Sequence, residues 1–360
     1  MPNTPLLTSL ITVLAMLFLN WGDPVLAALP AGSAVTDGAA ILRNALPIQQ
    51  KDLRQMQYTL EATSKVVGSS KGNRWVVLNE AASSSQFLVI TRKKSILEAI
   101  PEARRAEGDA LLESLEESVQ ALGEEASKQN IDGFIALRRK SLKQIGDLEA
   151  LLVNDFPYNI PEEYDSLPRL LGRATVSIKT TKGSMSAVID GYNAPLTAGA
   201  FVDLALKGFY DGLPFTRAED NYVLQSGDPK GPESGYIDPT TSQERQVPLE
   251  IRVPEEPTPF YNQTFEDLGL YKATPVLPFA ALGTLGWAHS HQAIDDGSSQ
   301  FFLFLYEAEL TPAGLNLIDG RNAAFGYVVE NTELLKELGV DDRILSIEVV
   351  DGADLLKPHA

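Results

Sequence analysis

The sequence predicts a multidomain α plus β chain, with a helical bundle in the first half and a closed antiparallel β-barrel in the second. Three observations carry this. Between residues 37 and 153 apolar residues recur at helical spacing. Residues 154–171 are punctuated by Pro157, Pro161 and Pro168. From residue 172 on, short β-prone runs alternate with Gly, Pro and aromatic residues. At 360 residues the chain suits two domains better than one, and 44% apolar residues can fill two cores. The expected division is a signal peptide over 1–27, a helical bundle over 28–155, a Pro-rich linker over 156–171 and the β-rich domain over 172–360.

The first element is an export signal. The apolar run Leu6 to Leu19 precedes Asn20-Trp21-Gly22-Asp23-Pro24, which breaks a helix, and Val25-Leu26-Ala27 then offers small residues to a signal peptidase. A run of fourteen residues is short of the roughly 20 that a membrane span needs. Cleavage would start the mature chain near Ala28; the alternative is an uncleaved anchor, since the terminal amine is the one positive charge ahead of the apolar run.

The bundle follows. Leu53, Met56, Leu60 and Val67 form one apolar stripe. Leu112, Leu115, Val119 and Leu122 form a second, and Ile131, Ile135, Leu142, Ile145 and Leu152 a third. Pro47 and Pro101 stand where helices should start, and Gly68–Gly72 and Asn130 to Gly133 where they should turn. Trp75–Ile100 fits a helix through Trp75, Leu78, Ala82, Val89 and Ile96, but Ser83-Ser84-Ser85 is a poor helix interior and Phe87–Ile90 suits a strand. Four main helices are expected. Beyond the linker, Arg173–Thr180 and Met185–Ile189 flank Lys182-Gly183 as a hairpin.

Composition removes several function classes. The chain has no cysteine, so disulfides, thiolate metal sites and thiol catalysis are excluded. It has three histidines, too few for a histidine-rich metal centre. A formal charge of −18 opposes nucleic acid as a partner. Residues 28–171 carry 17 Lys and Arg against 20 Asp and Glu, net −3; residues 172–360 carry 13 against 27, net −14. Charge complementarity between the acidic second half and the basic clusters Arg92-Lys93-Lys94 and Arg138-Arg139-Lys140 with Lys143 suggests that the halves dock, with the bundle screening part of the β-rich domain; the alternative is that these clusters are solvated helix faces or meet an acidic client.

Four segments of the second half form an ordered set. They are Asn193-Ala194-Pro195-Leu196-Thr197-Ala198-Gly199-Ala200-Phe201; Phe215-Thr216-Arg217 with Tyr222-Val223-Leu224-Gln225-Ser226-Gly227-Asp228-Pro229; Leu285-Gly286-Trp287-Ala288-His289 with Gly297-Ser298-Ser299-Gln300-Phe301-Phe302; and Ile318-Asp319-Gly320-Arg321-Asn322-Ala323-Ala324-Phe325-Gly326. Strand periodicity puts Val223 and Gln225 on one face and Leu224 on the other; Gln300 and Phe302 likewise share a face, leaving Phe301 for the core.

In order and spacing these segments resemble the cyclophilin family over about residues 172–350. The resemblance implies a cyclophilin-type barrel with capping helices and peptidyl-prolyl cis-trans isomerase activity, with no cofactor. Rotation about an X–Pro bond faces a resonance barrier of about 18–20 kcal/mol. No covalent step is needed to lower it, only an apolar seat for proline and a donor to the nitrogen that regains its lone pair in the twisted amide. A guanidinium suits that task because it keeps its charge at any working pH. Carried over, the resemblance makes Arg217, Phe302 and Gln225 catalytic. Tyr222, Val223, Leu317, Ile318 and Asn322 would line the proline pocket, Gln300 would orient the peptide with Gln225, and the Ala288–His289 backbone would pair with it.

Departures from the family pattern are visible. Leu317 stands for a tryptophan, Asn322 for a histidine, Tyr222 for a phenylalanine, Val223 for a methionine and Thr216 for a histidine, while Lys230 to Lys272 forms an enlarged acidic loop. Weak cyclosporin binding and a low rate are therefore expected. His289-Ser290-His291 lacks a third metal ligand, and Asp295-Asp296-Gly297 reads as a turn.

The whole layout resembles the multidomain thylakoid-lumen cyclophilins of cyanobacteria and plants. That resemblance implies a cyanobacterial protein of the thylakoid lumen (the periplasm being the alternative) that assists photosystem II assembly or maintenance, with proline-containing clients such as photosystem II subunits and no transmembrane segment once mature. A foldase acting on exported proteins is one function to expect. A non-catalytic chaperone or assembly scaffold using the same groove is the other.

Overall fold

The computed structural model describes residues 35–69, 73–153, 156–220, 222–254, 256–290, 292–305 and 318–357. The signal peptide and Leu317 lie outside these residues. Six helices occupy the first half: α1 (Gly38–Ala45), α2 (Lys51–Ala62), the single turn α3 (Ser64–Val67), α4 (Arg74–Ala99), α5 (Arg105–Ser127) and α6 (Ile131–Leu151). Helix α4 packs on α5 and α5 on α6, while α2 lies against α4 and α6. Their shared core holds Leu53, Met56, Leu60, Leu78, Val89, Ile96, Leu112, Leu115, Val119, Leu122, Leu142 and Ile145.

The segment Trp75–Ile100 resolves to helix as far as Ala99, with Ile100 as its extended cap. Its serines sit within that helix, and Ser85 returns its hydroxyl hydrogen to Ala81 O at 2.8 Å, satisfying the group locally. Phe87 and Ile90 are exposed rather than strand-forming. At the start of α6 the stripe is shifted: Phe134 is the fully buried residue, while Ile131 only packs at the margin of the core. Asn130 caps that helix, accepting from Gly133 N at 3.3 Å.

The second half is built on one eight-stranded antiparallel sheet. Its strands are β2 (Arg173–Thr180), β3 (Ser184–Asp190), β4 (Arg217–Glu219), β5 (Val223–Ser226), β8 (Thr284–Trp287), β9 (Phe301–Phe304), β10 (Ala324–Glu330) and β11 (Ile344–Asp351), in the order β11-β2-β3-β10-β8-β9-β5-β4. Two-stranded ribbons pair β1 (Arg169–Leu170) with β12 (Leu356–Lys357) and β6 (Glu250–Ile251) with β7 (Phe260–Tyr261). The predicted β2–β3 hairpin forms, turning through Gly183 at φ +151°.

The expectation of a closed barrel is corrected. The sheet curls but stays open, with β4 and β11 as its edges. The segment ahead of β4 meets the start of β11, through the Pro214–Arg343 bridge, Phe215 N donating to Asp342 O at 3.1 Å and Ile344 N donating to Leu213 O at 2.9 Å. Strand β4 has three residues, too few to continue that pairing into a closed ladder. One face of the sheet packs with helix α7 (Pro195–Leu206) around Ile178, Ile189, Phe201, Leu224, Leu285, Leu303 and Phe325. Buried Glu250 caps α7, accepting from Leu196 N at 3.1 Å and Thr197 N at 3.0 Å.

Helix α1 joins the halves. Asp37 caps it, accepting from Ala39 N. Its Ile41, Leu42 and Ala45 share an apolar cluster with Leu277, Phe279, Ala324 and Tyr327 of the second half. Its last carbonyls, which no helical N–H can satisfy, accept from the β half: Arg173 Nη2 donates to Leu42 O at 2.6 Å and Asn193 Nδ2 to Ala45 O at 3.2 Å. On its other side Arg43 pairs with Glu61 at 2.9 Å.

Five of the seven basic residues expected to carry this docking are engaged inside the helical half instead. Arg92 pairs with Asp52, Lys93 with Asp109, Lys94 with Glu98 and Lys143 with Asp147. Arg138 donates to Leu60 O. Burial of aliphatic surface at about 1.5–3 kcal/mol per large side chain outweighs exposed charge pairs at about 0–1 kcal/mol.

Close to α1 lies an unusual carboxylate. Glu149 of α6 is fully buried, and neither of its oxygens has a hydrogen-bond partner. Arg54 approaches to 3.4 Å, but its Nη1 donates to Arg43 O and Gln57 Oε1 and its Nη2 to Leu46 O. Burial pushes the Glu149 carboxyl up to about 7.

Candidate active site

Antiparallel register writes the site as rows running across the sheet. One row reads Arg217–Gln225–Phe302–Gly286–Ala324 and the next Glu219–Val223–Phe304–Thr284–Tyr327. Directly opposed residues share a face, so the sheet brings Arg217, Gln225, Val223 and Phe302 together on the face opposite α7. Leu224 and Phe301 point into the α7 core, as strand periodicity predicts.

The apolar part of this face is deeply buried. Phe302 is 6% exposed and Val223 4%. Phe302 lies against Gly286, the small residue beside it in the row, where a Cβ would collide with the ring. Its other neighbour is Phe279, stacked at 5.6 Å between centroids and 14° between planes. Phe279 was not foreseen: Leu277-Pro278-Phe279 has neither strand alternation nor helical spacing, and an aromatic beside Pro275 and Pro278, just past the acidic loop, was its only signal. Three contacts hold that segment. Asp319 Oδ1 accepts from Phe279 N at 2.8 Å, Tyr327 Oη donates to Pro278 O at 2.8 Å, and Val276 N donates to Arg252 O at 2.8 Å. Burial raises the Asp319 carboxyl to about 6.

The polar part stays open. Arg217 is half exposed; its Nε donates to Glu219 Oε1 at 2.7 Å, and its guanidinium carbon lies 5.7 Å from the Tyr222 ring centre. Tyr222, also partly exposed, meets Phe304 edge-on at 6.1 Å. Gln225 Nε2 donates to Gln300 Oε1 at 2.8 Å, and Gln300 Nε2 donates to Ser234 O at 2.9 Å and Asp228 Oδ1 at 3.2 Å. Ile318 packs at the margin of the apolar cluster. Asn322 donates to Trp287 O at 3.2 Å, and His289 sets one ring nitrogen 2.9 Å from Arg321 O and the other 2.8 Å from Ser290 O. The Ala288 N–H donates to Gln300 O at 3.0 Å.

The geometry can seat a peptide edge-on, with a cation at one end of the row and an aromatic floor in the middle. Residues 175–349 match the family described as cyclophilin type peptidyl-prolyl cis-trans isomerase/CLD, and residues 37–153 match the CYP38-like, PsbQ-like domain of peptidyl-prolyl cis-trans isomerases. A Synechocystis sp. protein, sll0408, named for a thylakoid lumen peptidyl-prolyl cis-trans isomerase, is 44% identical, the alignment covering 97% of this chain and 94% of that one. The chain belongs to the cyclophilin family. A second relative, the chloroplastic isomerase CYP38 of Arabidopsis thaliana, is 42% identical over 92% of this chain and 78% of its own. The cyclophilin is thus a peptidyl-prolyl cis-trans isomerase with a PsbQ-like helical half ahead of its catalytic sheet.

Proposed function

We propose that this cyclophilin isomerises X–Pro bonds of exported proteins in the thylakoid lumen of a cyanobacterium, with photosystem II subunits among its clients. The observation that supports the site is the row placing Arg217 and Phe302 on one face, one residue on either side of Gln225. In this reading proline rests against Phe302 between Val223, Tyr222, Ile318 and Asn322, and Leu317 belongs to the same wall. Arg217 donates to the amide nitrogen as its lone pair localises, an interaction made more strongly in the twisted state than in either planar one. Gln225 and Gln300 orient the peptide, and the Ala288–His289 backbone pairs with it. We also take 28–155 as the helical domain, 156–171 as the linker and 172–360 as the isomerase domain. Location and clients rest on the family's relatives. Among the described residues no helix is long and apolar enough to cross a membrane.

A second reading has its own observation. Phe302 is almost wholly covered, and Phe279 and α1 belong to the same apolar cluster, which favours a slow enzyme or a scaffold that holds clients without turning them over. Exchange spectroscopy on an Ala-Pro peptide with the mature protein separates the two. Accelerated cis–trans exchange supports the enzyme, and binding without acceleration supports the scaffold.

A further inference from the structure

We propose that Glu219 is the positioning residue for Arg217, fixing the guanidinium from its own strand so that the Nη groups face the amide nitrogen of bound proline. This rests on the reading of Arg217 as the amide donor.

The sheet register carries the argument. Arg217 sits opposite Gln225, which is the obvious side chain to hold it. Gln225 is engaged elsewhere: its amide nitrogen donates to Gln300, and Gln300 in turn donates to Asp228 and to Ser234 O. That chain of amides runs away from Arg217. Strand β4 is the edge of the sheet, so among the described residues no strand on its far side offers an acceptor. What remains is β4 itself. With a period of two, Glu219 shares the Arg217 face, and it accepts from Arg217 Nε at 2.7 Å.

The bond uses the Nε edge of the guanidinium, and among the described residues neither Nη1 nor Nη2 makes a hydrogen bond or ion pair. An arginine tethered at Nε keeps its forward-facing donors free for a ligand. The Tyr222 ring flanks the same group at 5.7 Å, limiting its swing on the other side. Glu219 therefore acts on the reaction through Arg217 and makes no contact with the proline itself.

The groups that face Glu219 are few. Arg217 is the one charged side chain that shifts its titration, holding the carboxyl below the usual glutamate range, and its neighbours along the row, Val223 and Phe304, are apolar. A lowered carboxyl keeps the pair intact above the ordinary glutamate range and loses it as the pH falls through the folded value.

The test uses full-length mature protein and an Ala-Pro peptide. Exposed ion pairs are weak, so Glu219→Ala should lower kcat by about three- to fivefold at pH 7 with KM little changed, and Glu219→Asp should recover most of the loss. Wild-type kcat should fall toward the Glu219→Ala value on acidification below pH 4.5, and Glu219→Gln should show no such limb. Nitrogen-15 spectra supply a reading independent of turnover: the Arg217 Nε–H resonance should move in Glu219→Gln and titrate with acid in the wild type only. A kcat for Glu219→Ala equal to or above wild type overturns the positioning role, as does an Arg217 Nε–H resonance indifferent to Glu219→Gln. An Arg217→Ala rate equal to wild type is a different result: it overturns the reading of Arg217 on which this role depends.

Discussion

Phe279 lies parallel to Phe302, ring on ring, with Gly286 as the backbone that lets the pair close up. A side chain at 286 would strike the Phe302 ring and come within 2.7 Å of Phe279. Gly286→Ala should therefore unstack the pair, lower stability by about 1–3 kcal/mol and change the isomerisation rate. The urea midpoint and exchange on a prolyl peptide check this, and values equal to wild type would show that the stack does not depend on Gly286.

Arg217→Ala should remove isomerase activity and leave the fold intact. The side chain is half exposed, and its ion pair with Glu219 is equally exposed, so its loss should move the urea midpoint little. Cis–trans exchange that stays at the wild-type rate in the variant would refute the assignment.

Leu42 tests the seat of α1. It is 4% exposed and packs with Phe279 and Tyr327 in one cluster. Leu42→Ala should weaken that contact by about 2–4 kcal/mol. Limited proteolysis should then cut ahead of residue 50, and the isomerisation rate should rise if α1 restricts the groove. A looser α1 with an unchanged rate would mean that the helix stabilises the protein without screening its site.

Glu149 predicts a pH dependence with a definite sign. Its folded carboxyl titrates near 7 against about 4.5 when unfolded, with Arg54, Arg43, Arg173 and Glu61 as the charges around it. The native state thus binds the extra proton between these values, so stability is fully present below about pH 4.5 and declines as the pH rises through 7. Glu250, also near 7, contributes with the same sign. Glu149→Gln should remove its share, raising stability at pH 8 relative to wild type by on the order of 2 kcal/mol. Urea titrations at pH 5 and pH 8 decide it; parallel losses in both proteins would place the effect elsewhere.

The parts legible in the sequence were those governed by local periodicity. The stripes Leu53–Met56–Leu60 and Leu112–Leu115–Val119–Leu122 lie in the core as spaced, and the alternation of Val223, Leu224 and Gln225 divides as strands require. What periodicity does not encode was missed. Closure depends on how far β4 extends, which composition does not reveal. Phe279 reaches Phe302 through a loop held by Asp319 and Tyr327, 40 and 48 residues further on. The docking surface was sought in charge because charge is countable in a sequence, whereas the apolar face of α1 gains its meaning only from the strands it meets.

Helix α1 is the first described element and the last that can find its place. Its two carbonyl acceptors bond residues 131 and 148 positions later. An eight-residue helix is marginal in water without tertiary support, and contacts this distant in sequence are slow to form. A chain emerging N-terminus first therefore makes α1 long before the last residues it packs on, so the helix made first is seated late. The junction between the halves is a late event in the life of each molecule, and the apolar strip around Phe279 and Tyr327 stays uncovered until it occurs.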